Sequence, residues 1–350
     1  MQTKIKESLK NYPSLVKFYE KLTLRRFVQF AVVIIFLIAI WQFNNFIGYM
    51  RNDGIGDIPY KPPVAEGFLP IAALVAFKAM LSTGQIDPIH PAGLIIFIVT
   101  LATAWIFRRA LCSWICPIGT LSEQLAKLGQ KIMGGRNLKM PKLLDFTLLV
   151  IKFVLFFFIF KLFVTMTTED AISFMGSPFY SISDIKMFDF FMNSGLKVIG
   201  VIGFLMLLSV FFKNFWCRYL CPYGALLGII GFFSPHQLMK NNETCINCAK
   251  CNKACPNQVN VMDKKKIVAS TECTGCAACV KACPVEGTIQ MKLFGIVPVK
   301  PFIFSVAFIV VFFGAIFLAK VTGHWNSSVS IDEYRQLDKV MSSFGSGGGF

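Results

Sequence analysis

Charge is scarce in this 350-residue chain: Asp, Glu, Lys and Arg together make up 15% of it, against about a quarter in soluble domains. Histidine is scarcer, with only His90, His236 and His324. Integral b-haem needs paired axial ligands inside the spans, and none of these three is mid-span, so haem is not expected. No Gly-rich nucleotide motif stands out, which assigns any NADH or flavin oxidation to another subunit. Met1 to Arg26 is polar and basic ahead of the first apolar run and does not have the form of a cleavable signal. No cysteine falls outside a motif.

Apolar residues fill the gap, at 55% of the chain, and Phe alone occurs 37 times. Five segments read as helices able to cross roughly 30 Å of hydrocarbon: Phe27 to Ile47, Ala92 to Phe107, Phe146 to Val164, Leu196 to Phe212 and Phe302 to Ala319, the second and fourth being short. With the N-terminus inside, the segments 1–26, 108–145 and 213–300 carry 25 Lys and Arg, and the opposite segments carry 7. Acids run the other way, 8 against 11. The net charge of +16 is then a positive-inside signal and not a nucleic-acid footprint. Leu69 to Leu81 is apolar but only 13 residues long and contains Lys78. It is expected to be re-entrant or interfacial, since a crossing there would reverse every later loop and erase the charge bias.

Twelve cysteines fall in four motifs, all on the inner side of this topology, where thiols stay reduced. Cys245, Cys248, Cys251 and Cys255-Pro256 form one C-x2-C-x2-C-x3-C-P run, and Cys273, Cys276, Cys279 and Cys283-Pro284 form another. In such runs the fourth cysteine ligates the other cluster. The expected sets are therefore Cys245, Cys248, Cys251 with Cys283, and Cys273, Cys276, Cys279 with Cys255. A zinc module pairs two short hooks and has no need of four cysteines per run, so two [4Fe–4S] clusters are expected. The segment, about Asn241 to Met291, resembles a bacterial two-cluster ferredoxin domain.

The remaining four thiols occupy a repeated hook. Cys112-Ser-Trp-Ile-Cys116-Pro-Ile-Gly-Thr-Leu matches Cys217-Arg-Tyr-Leu-Cys221-Pro-Tyr-Gly-Ala-Leu. Each follows an apolar segment and is preceded by basic residues (Arg108 and Arg109; Lys213). Cysteines at i and i+4 share a helix face, and proline opens a helix well at its first position. Cys116 and Cys221 are thus expected at helix N-termini, where free amides favour thiolate, each followed by an amphipathic helix. Two hooks together make a third centre, and [4Fe–4S], [2Fe–2S], copper or a dithiol all suit four thiols. Buried cysteines without a ligand are the plainer reading of either pair alone, and the repetition with Pro, Gly and Leu at matched offsets weighs against it.

Taken together, the paired hooks and two ferredoxin runs resemble the polyferredoxin-type membrane proteins of the NapH, NosR and YccM group, with CcoG similar in its motifs. Pro62 to Pro70, His90 to Leu94, His324-Trp325 and Glu333-Tyr334 add to the likeness with the YccM-like branch. The resemblance implies an integral iron–sulfur electron-transfer protein of the bacterial inner membrane, possessing redox partner proteins in a larger membrane complex or at a periplasmic acceptor. It also implies a link to the quinone pool or to a cytoplasmic donor. The expected fold is all-α and multispan, with about five crossings plus the short helix, and a small α+β two-cluster domain inserted before the last span. Its parts are a cytoplasmic segment 1–26, a membrane domain 27–235, the ferredoxin domain 241–291, a last helix 301–320 and an extracytoplasmic tail 321–350. Asp87 and His90 are candidates for a quinol headgroup, although residues so placed are usually solvated. Lys152, inside the third span, either snorkels inward or neutralises a nearby cluster or quinone. Ser342 to Phe350 is expected to be disordered. The rival functions are a copper reductase or assembly factor using the hook thiols, and a docking subunit of a respiratory complex.

Overall fold

The computed structural model describes residues 24–345 apart from 53, 54, 56, 136 and 194, so most of segment 1–26 lies outside the described residues. The first described helix, α1 (Leu24–Arg51), is followed by a 3-10 turn (Pro63–Phe68), α2 (Pro70–Thr83) and α3 (Pro91–Phe107). The first hook lies in α4 (Ala110–Trp114) and at the start of α5 (Pro117–Ile132). Next come α6 (Lys142–Thr165), the short helices α7 (Thr168–Met175), α8 (Pro178–Ser181) and α9 (Ser183–Met192), and α10 (Leu196–Phe211). A π-helical turn (Trp216–Leu220) carries the second hook into α11 (Pro222–Phe232).

The remainder is mixed. β1 (His236–Lys240), α12 (Lys250–Ala254), α13 (Ala278–Ala282), β2 (Ile289–Leu293) and β3 (Val297–Val299) precede α14 (Pro301–Val321) and α15 (Ile331–Gly345). The three strands form an antiparallel sheet in the order β1-β2-β3, with His236 opposite Leu293, Lys240 opposite Ile289 and Met291 opposite Val299. The strands that frame the cysteine runs thus begin at His236 and end at Val299.

Helices α1, α6 and α14 are long and apolar enough to cross a membrane. At 1.5 Å per residue, α3 (17 residues) and α10 (16 residues) reach only about 25 Å. The side of α6 that faces away from the protein is almost wholly apolar and exposed, with Phe146, Val154, Phe158 and Val164 bare, as a lipid-facing helix requires. Central α3 packs against α2, α11, α14 and the 3-10 turn. Its last residue, Phe107, joins the membrane helices to the sheet: its ring lies 5.3 Å from His236, 5.4 Å from Phe304 and 5.8 Å from Phe308. Edge-on and stacked pairs of this kind each add about 0.5–1.5 kcal/mol beyond area burial. The core around them also takes in Trp114, Leu238, Val268 and Met291, so the ferredoxin-like part and the helices share one interior.

Two local expectations change. Helix α5 is amphipathic, but α11 (Pro222–Phe232, PYGALLGIIGF) is apolar throughout and buries Gly224, Ala225, Leu227, Gly228 and Gly231, because it is wedged between α3 and α6. The expected disordered tail is helical through Gly345. Asp338 of α15 pairs with Arg51 (2.9 Å) and Lys186 (3.1 Å), which gives the helix a docking site; residues 346–350 lie outside the described residues.

Candidate iron–sulfur sites

The two ferredoxin runs fold alike. Ala249 and Ala277 cap α12 and α13 in the left-handed region (φ 56° at both), and Cys255 and Cys283 end these helices in extended conformation (φ −70° and −73°). The paired helices pack together. One cavity is lined by Cys255, Cys273, Cys276 and Cys279, the set expected from the crossover rule. Burial, then the charge of Cys276, pushes the Cys255 thiol up to about 12. Cys245 and Cys248 act electrostatically on Cys251, and Cys248 is exposed, so this second group opens to solvent. Cys283 stands at the end of α13, where its Sγ donates to the Val285 carbonyl at 3.3 Å.

The hooks converge as well. Cys116 and Cys221 stand at the N-caps of α5 and α11, with proline next in each case, and Cys221 Sγ accepts the Gly224 N–H at 3.3 Å. The amides at these helix ends do act toward thiolate as expected, but burial works against them. Burial, then the neighbouring Cys112, pushes the Cys116 thiol up to about 12, outweighing the amides of Gly119 and Ile118. Burial, then Cys116, also raises the Cys217 thiol well above its ordinary value. Thiols at Cys116, Cys217 and Cys221 raised by burial and by neighbouring cysteines, in a partly buried pocket, suit a multivalent metal centre that compensates their charge. Gly119 is required here, since a Cβ would collide with the Cys112 carbonyl oxygen.

Two consecutive arginines divide between the sites. Arg108 ends α3 with φ 61° and ψ −161°, a region nearly confined to glycine and costing about 1–3 kcal/mol. This reversal aims Arg108 at the cavity of Cys255, Cys273, Cys276 and Cys279, while Arg109 acts on Cys112, Cys217 and Cys221. Both guanidinium groups are buried, and Nε and Nη1 of Arg108 and Nε and Nη2 of Arg109 have no hydrogen-bond partner among the described residues. Unfilled buried donors cost about 1–3 kcal/mol each unless an anion sits before them. Clustered thiol donors, partial burial and unfilled guanidinium N–H groups fit anionic iron–sulfur centres at both places.

Buried polar contacts join the hooks to the ferredoxin part. Arg109 Nη1 donates to Thr271 O (2.8 Å) and Glu272 Oε2 (3.1 Å), and Ser113 Oγ donates to Thr274 O (3.0 Å). From the second hook, Asn214 Nδ2 donates to Asn257 Oδ1 (2.6 Å), and Asn257 Nδ2 to Glu272 O (3.0 Å). Thr274 lines both the ferredoxin cavity and a second one that reaches Cys112 and Cys217. Lys152 is fully buried and ion-paired with Glu272; it does not snorkel. Sequence reasoning read Arg108 and Arg109 only as boundary charges and passed over Glu272, Asn214 and Asn257; adjacency to cysteines was the available signal.

Asp87 and His90 lie elsewhere, at the opposite end of α3, and the structure does not bring them to Lys152. They are buried, not solvated, each 2% exposed. The Tyr180 hydroxyl donates to Asp87, and His90 Nε2 meets the Tyr180 carbonyl at 2.8 Å.

Residues 89–136 and 195–240 each match a family described as a 4Fe-4S binding domain, and 239–291 match a 4Fe-4S dicluster domain. The double match falls on the two hooks. The putative electron transport protein YccM of Escherichia coli (strain K12) is 34% identical over 326 residues, covering 90% of this chain and 89% of its own. Protein NirI of Paracoccus denitrificans is 30% identical over 54% of this chain and 28% of its own length. The ferredoxin-type protein NapH of Escherichia coli is 25% identical over 67% and 74%. No solved structure matches.

Proposed function

From the premise that this chain belongs to the family of polyferredoxin-type 4Fe-4S membrane proteins that includes YccM, we propose that it is a membrane-embedded electron wire with three iron–sulfur centres in series. Cys245, Cys248, Cys251 and Cys283 would hold the first, Cys273, Cys276, Cys279 and Cys255 the second, and Cys112, Cys116, Cys217 and Cys221 the third. When bound, such clusters supply one-electron transfer and no bond-breaking chemistry of their own. The carrying observation is that Thr274 lines both the second and third thiol groups, with Arg108 and Arg109 turned one to each.

The chain's own residues set the conditions. The arginines offset cluster charge and fill their donors on it; Glu272, held by Arg109 and Lys152, fixes the loop of Cys273. The exposed Cys248 edge is where a soluble donor or acceptor would dock. In this reading α3 and α10 complete five crossings inside a bacterial inner membrane, with α2 as the re-entrant helix, the ferredoxin part 241–291 cytoplasmic and the C-terminus extracytoplasmic. The quinone pool is the proposed redox partner within the membrane.

Iron and acid-labile sulfide analysis with EPR tests the wire. About 12 irons per chain are expected, falling to about 8 with one reducible species lost in Cys217→Ser/Cys221→Ser. A variant that keeps every reducible centre overturns the third centre. Copper(I) on the four hook thiols in place of iron would favour a metal-handling role.

A further inference from the structure

The buried polar groups at the far end of α3 take no part in the thiol sites, yet they converge from four elements. Glu66 comes from the 3-10 turn, His90 from the N-cap of α3, Asp184 from α9 and Lys61 from the segment before the turn. Glu66, His90 and Asp184 are 1%, 2% and 4% exposed. One ligand atom from each lies within 4.8 Å of the other two.

Hydrogen bonding sets the histidine tautomer. The Tyr180 carbonyl can only accept, so Nε2, 2.8 Å away, carries the proton. Nδ1 therefore faces the pocket, and it has no hydrogen-bond partner among the described residues. It lies 3.6 Å from Glu66 Oε1, too far for a hydrogen bond. Two donors sharing one ion with bonds of about 2.1 Å stand about 3–3.5 Å apart, close to that separation. Among the described residues Glu66 Oε1 also lacks a hydrogen-bond partner, while the other oxygen, Oε2, accepts the Gly93 N–H at 3.3 Å. An imidazole that donates its far N–H to a backbone carbonyl and turns its free nitrogen toward carboxylates is the outer-shell arrangement of a metal-binding histidine.

Charge points the same way. Lys61 Nζ is 2.7 Å from Asp184 Oδ2 and 3.7 Å from Glu66 Oε1, and it also donates to the Tyr334 hydroxyl. One ammonium faces two carboxylates, with Asp87 buried nearby against Tyr180. A second positive charge, on His90 itself or on a bound cation, balances the carboxylates.

We infer that Glu66, His90 and Asp184 bind one divalent ion of the zinc class, with Lys61 as the neighbouring cation that limits its affinity. One nitrogen and two carboxylate oxygens suit zinc better than a thiophilic or a purely oxygen-seeking ion. This site is independent of the electron-transfer reading, because it shares no residue with the thiol groups.

The test uses the iron-loaded full-length protein in detergent, equilibrated with Zn2+ and analysed for bound metal. One zinc per chain is expected in the wild type, under a tenth of that in Glu66→Gln/Asp184→Asn, and at least tenfold tighter binding in Lys61→Met. Iron content reports folding of each variant. If the double variant loses iron, His90→Gln is read in its place, with the same expected loss of zinc. Absence of zinc from both the wild type and Lys61→Met overturns the site and leaves a plain ion-pair network. Zinc retained in full by a folded carboxylate or His90→Gln variant overturns it as well.

Discussion

The two ends of α3 solve opposite problems with the same helix. Below Phe107, soft thiols gather in a partly buried pocket, and the compensating charges are two arginines, each with two nitrogens that have no partner among the described residues. Beyond His90, hard carboxylates and an imidazole gather, and the compensating charge is a single lysine. The contrast teaches that burial alone does not choose the chemistry. Donor softness does, together with whether the unfilled groups beside it donate or accept hydrogen bonds.

The sharpest way to break the thiol end is to remove its shared anion. Glu272→Ala leaves Lys152 and Arg109 buried without their carboxylate, and a loss of about 3–5 kcal/mol is expected, read as a drop in thermal midpoint with iron release. Asp184→Ala at the other end leaves Lys61 facing Glu66 alone and should cost less while keeping the iron. A smaller effect separates the two hooks from each other. In Gly119→Ala the new methyl meets the Cys112 carbonyl, whereas in Gly224→Ala it meets the end of the Arg109 side chain at 2.9 Å. The first should cost about 1–3 kcal/mol and disturb the third EPR signal; the second should be milder, since a side chain yields more readily than backbone.

The carboxylate end is also acid-sensitive at its margin. Burial works to raise the Asp338 carboxyl, but Arg51 and then Lys186 hold it below its ordinary 3.8. A depressed folded value contributes stability above the unfolded one and loses it as pH falls through the folded one. Hydrogen exchange in α15 should therefore rise below about pH 3.8, with Asp338→Asn showing raised exchange already at neutral pH. The smallest effect is a gain: Ala277→Gly relieves a left-handed alanine and should stabilise the fold by up to about 1 kcal/mol.

The grouping of the thiols was largely legible because cysteine spacing sets it directly, and the hook repeat is short and contiguous. The three longest helices were legible from apolar runs. The carboxylate end was not, because Lys61, Glu66, His90 and Asp184 come from distant positions with no fixed spacing, and each looks like an ordinary boundary residue. The apolar character of α11 is written in its residues, but the analogy with α5 obscured it. The strain at Arg108 had no sequence signal, since arginine after a span reads only as topology.

The anchoring of both hooks onto the loops of Cys255 and Cys273, through Ser113, Asn214, Arg109 and Glu272, has a mechanical consequence. The ferredoxin part is welded to the membrane helices and has no swing with which to ferry charge. Throughput of the proposed wire would then be insensitive to solvent viscosity once a partner has docked, and the moving piece of the circuit is the partner itself.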